Sequence, residues 1–175
     1  MTTLVFGGMF DPPHIGHVRL VEGAKRHCGV ERVLVLVVAD PGHREVVASA
    51  ADRLALAGAA FPSEDVELDE HPRTIDMLRA RQLDDPVLVI GADELAELPD
   101  WKEPEAVLEL ARFAVGERPG HAVRDAPAGT TFFEIEPTPV SSTEIRRRVA
   151  ARKPFDGLVP PAVAAEIERL GLYRG

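Results

Sequence analysis

Short apolar runs alternate along the chain with stretches whose apolar residues recur at helical spacing. Thr3 to Phe6 is an apolar run closed by Gly7-Gly8, which predicts a buried strand. Ile15, Val18, Val21 and Ala24 then fall on one helical face. Arg32 to Val38 is dense in valine and leucine without alternation, the pattern of a strand covered on both faces. Ser49 to Ala60 predicts a helix capped by Ser49, Val66 to Leu68 a short strand, and Thr74 to Leu83 a helix capped by Thr74. Pro86 leads into the apolar strand Val87 to Ile90, which Gly91 closes. A short helix from Ala92 stops near Pro99, and Pro104 opens the next, because proline suits a first helical turn. Phe113 to Val115 and Thr131 to Ile135 read as strands around a loop holding Pro119, Gly120, Pro127 and Gly129. Helices follow from Ser142 to Arg152 and from Ala162 to Leu170.

Strands that alternate with helices imply right-handed βαβ units. The expected fold class is therefore α/β, with a doubly wound, mainly parallel, Rossmann-like sheet and helices on both faces. No repeat, low-complexity tract or long linker divides the chain, so residues 1–175 are expected to form a single domain, helical from about residue 141 to 175. Ligands of such sheets bind beyond the carboxyl ends of the strands, where the strand order reverses. The residues just after each strand are the ones to examine.

Composition narrows the partners. Hydrophobic residues make up 45% of the 175, ample for a core. The formal net charge of -9 argues against a general nucleic-acid binder, which relies on a basic field. A phosphorylated ligand must then be held by local positive charge and backbone N–H groups. The single cysteine, Cys28, neither staples the fold nor begins a zinc motif. The apolar start at Met1 has no signal-peptide pattern and no run is long enough to span a membrane, so the expected location is the cytoplasm, without a membrane partner.

The first chemical constellation is Gly7-Gly8-Met9-Phe10-Asp11-Pro12-Pro13-His14-Ile15-Gly16-His17. Glycines let the backbone approach a ligand closely, and the prolines delay the helix to about His14. His14 and His17 can then share one face at a helix N-terminus, where free N–H groups and the dipole attract anions. Gly16 between them leaves room for a nucleotide against the backbone. The spacing is not that of the dinucleotide fingerprint. No further histidine or acidic ligand stands near enough in sequence to complete a metal site with the pair.

The second is Val140-Ser141-Ser142-Thr143-Glu144-Ile145-Arg146-Arg147-Arg148. Ser141 and Glu144 have capping-box spacing, with Val140 and Ile145 as the hydrophobic staple. That accounts for a helix start but leaves Ser142, Thr143 and Arg146 unexplained. Hydroxyls at a helix N-terminus with an arginine one turn on make a phosphate cradle. Arg147 and Arg148 read as a solvated face.

Together these strings resemble the nucleotidylyltransferase superfamily. Gly91-Ala92-Asp93-Glu94-Leu95, with Leu98-Pro99-Asp100-Trp101 after it, is similar to the bacterial nicotinate mononucleotide adenylyltransferase family. So are Asp40-Pro41-Gly42-His43-Arg44, Asp52-Arg53-Leu54, Arg118-Pro119-Gly120 and Gly171-Leu172-Tyr173-Arg174, in the same order to the C-terminus. The resemblance implies adenylyl transfer from ATP to nicotinate mononucleotide in NAD biosynthesis. The partners it implies are ATP and a pyridine mononucleotide, with Mg²⁺ accompanying ATP and no metal ligand nominated in the protein. His14, His17 and Arg146 would contact the phosphates during transfer. Gly7, Gly8 and Phe10 would line the nucleotide path, Gly91 and Asp93 the adenosine ribose, and Ser142 and Thr143 the triphosphate, a site completed by the C-terminal helical part. His43 and Arg44 lie in a loop able to close over the phosphates. Thr74 and Trp101 would face the pyridine ring, Trp101 by stacking.

The chain departs from the family at the acceptor end. Arg73 stands where a tyrosine usually precedes the threonine matched by Thr74, and the loop after the second strand is short. Acid and amide forms of the pyridine nucleotide therefore both stay open as acceptors, with phosphopantetheine a more distant alternative. A sensor that binds nucleotide without turnover is the rival of another class. Self-association into a homo-oligomer is also open.

Overall fold

The computed structural model describes residues 1–42, 44–120 and 125–175. Its elements run β1 (Thr3–Gly8), α1 (Ile15–Cys28), β2 (Val33–Val38), α2 (Ala50–Ala60), β3 (Asp65–Asp69), α3 (Thr74–Arg81) and β4 (Pro86–Gly91). Next come α4 (Ala92–Glu97), a 3-10 turn (Leu98–Asp100), α5 (Pro104–Leu110), β5 (Arg112–Glu117), β6 (Thr130–Glu134), α6 (Ser142–Ala150) and α7 (Pro161–Leu170).

The strands form one sheet in the order β3-β2-β1-β4-β5-β6, and every pairing is parallel. "Mainly parallel" thus becomes wholly parallel. Leu4 of β1 pairs with Val33 of β2 on one side and Val87 of β4 on the other. The chain order reverses between β1 and β4, which places a crevice at their carboxyl ends.

Alternation along each strand divides the core in two. Leu4 and Phe6 face α1, α2, α6 and α7 through Val21, Leu56, Ile145 and Ile167. Val5 faces the opposite layer, where Ile75, Leu95 and Val107 come from α3, α4 and α5. Strands covered on both faces need no polar side, which is why their sequences lack alternation. Among the described residues no helix is long and apolar enough to cross a membrane.

Boundaries shift where backbone bonding outruns the apolar signal. β1 continues through Gly7 and Gly8, which pair with Leu36 and Val37. α3 ends at Arg81, with Gln82 in the left-handed region at φ 45°, instead of reaching Leu83. Thr74 is its first helical residue, not its cap. Arg73 holds the cap position with extended backbone and makes no side-chain capping bond.

Candidate active site

Gly8 is confined by its own loop. A Cβ there would stand 2.8 Å from Cζ of Phe10. Phe10, at φ 51° and 2% exposed, folds back beneath the loop. Its ring packs edge-on against Phe6, Phe61 and His17, with centroids 5.5, 5.7 and 5.3 Å away. Phe10 is therefore a buried floor under His17.

The two histidines replace the usual capping residues of α1. His14 is the N-cap, and its Nδ1 accepts the Gly16 N–H at 3.2 Å. Nδ1 of His17 accepts the His14 N–H at 3.0 Å. This is the reciprocal logic of a capping box, carried by imidazoles. The rings stack with centroids 3.7 Å apart. An Nδ1 that accepts an N–H carries no proton, so each neutral ring must bear its hydrogen on Nε2. Loss of water lowers the His14 pKa to about 4. Burial, and then His14 beside it, push His17 well below the ordinary histidine range. The pair is thus a neutral double donor. Gly16 lines the cleft, and a Cβ there would also meet Cε1 and Nδ1 of His14 at 3.0 Å, so this glycine makes room for the capping ring as well.

The α6 side closes on the same loop. Ser141 accepts the Glu144 N–H at 3.2 Å, which is half a capping box. The Glu144 carboxylate turns instead to Arg147 and Arg148, the solvated face expected from the sequence. Ser142 Oγ donates to the Pro12 carbonyl at 2.8 Å. Arg146 Nη1 donates to the Asp11 carbonyl at 2.7 Å, and Nη2 to Thr143 Oγ1 at 3.4 Å. Two hydrogen bonds therefore fasten α6 to the segment before His14.

A cleft of about 1190 Å³ opens at the carboxyl ends of β1 and β4. Gly7, Gly8, Phe10, His14 and His17 line it from the first loop, and Ser142, Thr143 and Arg146 from α6. Gly91, which caps α4 without a side chain, contributes with Asp93 from the β4 end. Thr74, Trp101 and Arg44 complete the set brought together. His43 lies outside the described residues.

Comparisons with known proteins agree with this geometry. Residues 5–148 match the Cytidylyltransferase-like family. The nicotinate-nucleotide adenylyltransferase of Bacillus subtilis (strain 168) is 32% identical over 183 residues, covering 97% of this chain and 96% of that protein. A protein of Thermus thermophilus, named a probable nicotinate-nucleotide adenylyltransferase, is 36% identical over 182 residues, covering 97% and 98%. This chain belongs to the nicotinate-nucleotide adenylyltransferase family. The fold is shared with a solved Plasmodium falciparum nicotinic acid mononucleotide adenylyltransferase complexed with NaAD, at a TM-score of 0.82 and 14% identity, covering 98% of this chain and 97% of that one.

This nicotinate-nucleotide adenylyltransferase family member also holds groups that the sequence reading quoted without assigning them a role. Asp11 is 3% exposed, and its carboxylate accepts the Val47 N–H (2.7 Å), the Ala48 N–H (3.1 Å) and the Tyr173 hydroxyl (2.7 Å). Arg53, 1% exposed, donates to the carbonyls of Met9, Val38, Ala39 and Ala48. Together they tie the first loop to the segment after β2 and to the residues following α7. The sequence signal was an acid between Phe10 and Pro12 and an arginine, after Asp52, in the alanine- and leucine-rich run of α2, but most of their partners lie too far along the chain to be read. His71, whose Nδ1 lies 2.7 Å from Asp69, and Arg118 also line the cleft.

Proposed function

We propose that this protein transfers the adenylyl group of ATP to nicotinate mononucleotide, giving nicotinate adenine dinucleotide and pyrophosphate, in the cytoplasm. The observation that carries the reading is the neutral His14–His17 pair, capped on Nδ1 and lining one cleft with Arg146. Two Nε2–H donors and a guanidinium suit phosphate oxygens, and the first loop and α6 bring them into a cleft whose lining elsewhere carries carboxylates such as Asp93 and Glu94.

The acceptor phosphate oxygen attacks the α-phosphorus in line with departing pyrophosphate. A phosphate monoester has a second pKa of about 6, so the nucleophile is already ionised and no general base is assigned. What the protein supplies is alignment and charge stabilisation. His14 and His17 donate to the phosphoryl oxygens, and Arg146 balances charge on the leaving group. Thr143 through its hydroxyl and Ser142 through its backbone N–H, its own hydroxyl proton being given to the Pro12 carbonyl, hold the triphosphate, and Arg44 covers it, with His43 assigned to the same loop. Gly7, Gly8 and Phe10 shape the nucleotide path, while Gly91 and Asp93 take the ribose hydroxyls. Thr74 and Trp101 face the pyridine ring. The groups assigned to the phosphates are N–H, hydroxyl and guanidinium donors, which suit phosphate oxygens and not a bare cation. Mg²⁺ therefore fits as an ion carried by the nucleotide, where it neutralises triphosphate charge.

The test is pyrophosphate release with ATP and Mg²⁺, offering nicotinate mononucleotide, nicotinamide mononucleotide and phosphopantetheine separately. Strong preference for the nicotinate compound is the expected result. Preference for another acceptor would move the substrate, and ATP binding without release would replace the enzyme with a sensor.

A further inference from the structure

Trp101 is the only tryptophan of the chain and stands at the end of the Leu98–Asp100 turn. Its backbone N–H donates to the Leu98 carbonyl at 3.1 Å, and its ring centroid lies 6.3 Å from that of Phe113. The path onward to α5 is unfavourable. Glu103 has φ 51° and ψ 59°, a left-handed conformation disfavoured for any residue with a Cβ, and it precedes a proline. Such a conformation persists only where its surroundings over-determine it.

Those surroundings are two ion pairs to α3. Lys102 Nζ donates to both oxygens of Asp76, at 2.9 and 3.1 Å. Arg79 grips Glu103 as a fork, Nη1 to Oε1 at 3.1 Å and Nη2 to Oε2 at 2.7 Å. Asp76 and Arg79 are neighbours on one helical face, and their partners are consecutive residues. The helix they sit on begins with Thr74, so the clamp ties the element carrying Thr74 to the segment carrying Trp101. Arg79 and Glu103 themselves stand outside the cleft lining.

We propose that the Arg79–Glu103 fork, with Asp76–Lys102 beside it, is a positioning clamp that fixes Trp101 opposite Thr74 and so sets affinity for the flat ring of the acceptor. The acceptor's identity rests on the function proposed above; the clamp does not. A ring held in place before binding loses little rotational freedom when a ligand stacks on it, whereas a loose one must be ordered at the ligand's expense. One exposed ion pair is weak. A bidentate fork and a second pair on adjacent residues act on the same short segment.

The lone tryptophan makes the clamp observable without substrate. Fluorescence anisotropy decay and acrylamide quenching are measured on the wild type, Arg79→Met, Glu103→Gln and the reversed pair Arg79→Glu with Glu103→Arg. Both single variants should gain nanosecond motion of Trp101 and quench more readily, and the reversed pair should recover most of the rigidity. In turnover, KM for nicotinate mononucleotide should rise about three- to tenfold in the single variants, the scale of one or two such pairs. KM for ATP should stay within about twofold, since the function proposed above assigns no residue of α3 to ATP. Unchanged Trp101 motion in both single variants would overturn the clamp, as would equal rises in both KM values. A wild type that ignores nicotinate mononucleotide would instead defeat the function proposed above, leaving the anisotropy arm to decide on the clamp.

Discussion

Tyr173→Phe removes one hydroxyl and keeps the ring. That hydroxyl donates to Asp11 Oδ1 at 2.7 Å, with Tyr173 8% and Asp11 3% exposed. Burial, then the Asp11 bond, push the Tyr173 hydroxyl far above the ordinary tyrosine range, so it remains a donor at every working pH. A hydrogen bond to a charged acceptor is worth about 1.5–3 kcal/mol, and little water can enter to replace it. For a chain of this size each kcal/mol moves the melting midpoint by about 2–4 °C, so the variant should melt about 3–12 °C lower. Arg146 hangs on the carbonyl of the same Asp11, and part of the loss should appear in catalysis. The ceiling, were all of it felt there, is about 10- to 150-fold in kcat/KM for ATP. Thermal unfolding followed by Trp101 emission gives the first quantity and pyrophosphate release the second. A midpoint within about 1 °C of wild type, with unchanged kcat/KM, would refute the view of Asp11 as a buried hub.

Three further outcomes are expected. His17→Ala should cut kcat about 10²- to 10³-fold, the scale of one lost phosphate-stabilising donor; a fewfold change would remove His17 from the phosphate site. His14 has a folded pKa of about 4 against 6.5 when unfolded, so the unfolded chain protonates first as pH falls. Its stabilisation is full above pH 6.5 and declines to about pH 4, by about 3 kcal/mol, and urea unfolding across that window should be flatter for His14→Asn, which keeps a capping side chain. Gly116→Ala would place a Cβ 2.3 Å from Cδ1 of Leu20 and 3.3 Å from the Phe133 ring. Overpacking of that kind costs about 1–3 kcal/mol, which calorimetry would register, while the same change at the unobstructed Gly58 should spare the core.

Local pattern carried the fold and the two signature strings. Fully apolar runs such as Val87 to Ile90 could only be covered on both faces, and Pro12-Pro13 could only delay α1. What stayed hidden depended on partners remote in sequence. Nothing near Asp11 in the chain names Tyr173, 162 positions away. Nothing near Arg53 shows that it serves four carbonyls. Thr74 has the composition of a cap, yet the helix takes it as a first residue because Arg73 already supplies the extended backbone. Gly16 was legible as a space along the cleft, but its second service, room for the His14 ring, was not.

The wholly parallel sheet also dictates an order of assembly. Parallel neighbours cannot be joined by tight turns, so each pairing waits for a crossover. β1 meets β2 after one such excursion, but Leu4 meets Val87 only after three strands have been laid down. Contacts between such distant residues form slowly. Until β4 docks, one side of Thr3-Leu4-Val5 is a bare, largely apolar edge, the kind that recruits other chains. The crevice lies along that same seam, so the step that shields the growing protein from aggregation is also the step that first brings the two halves of the nucleotide cleft together.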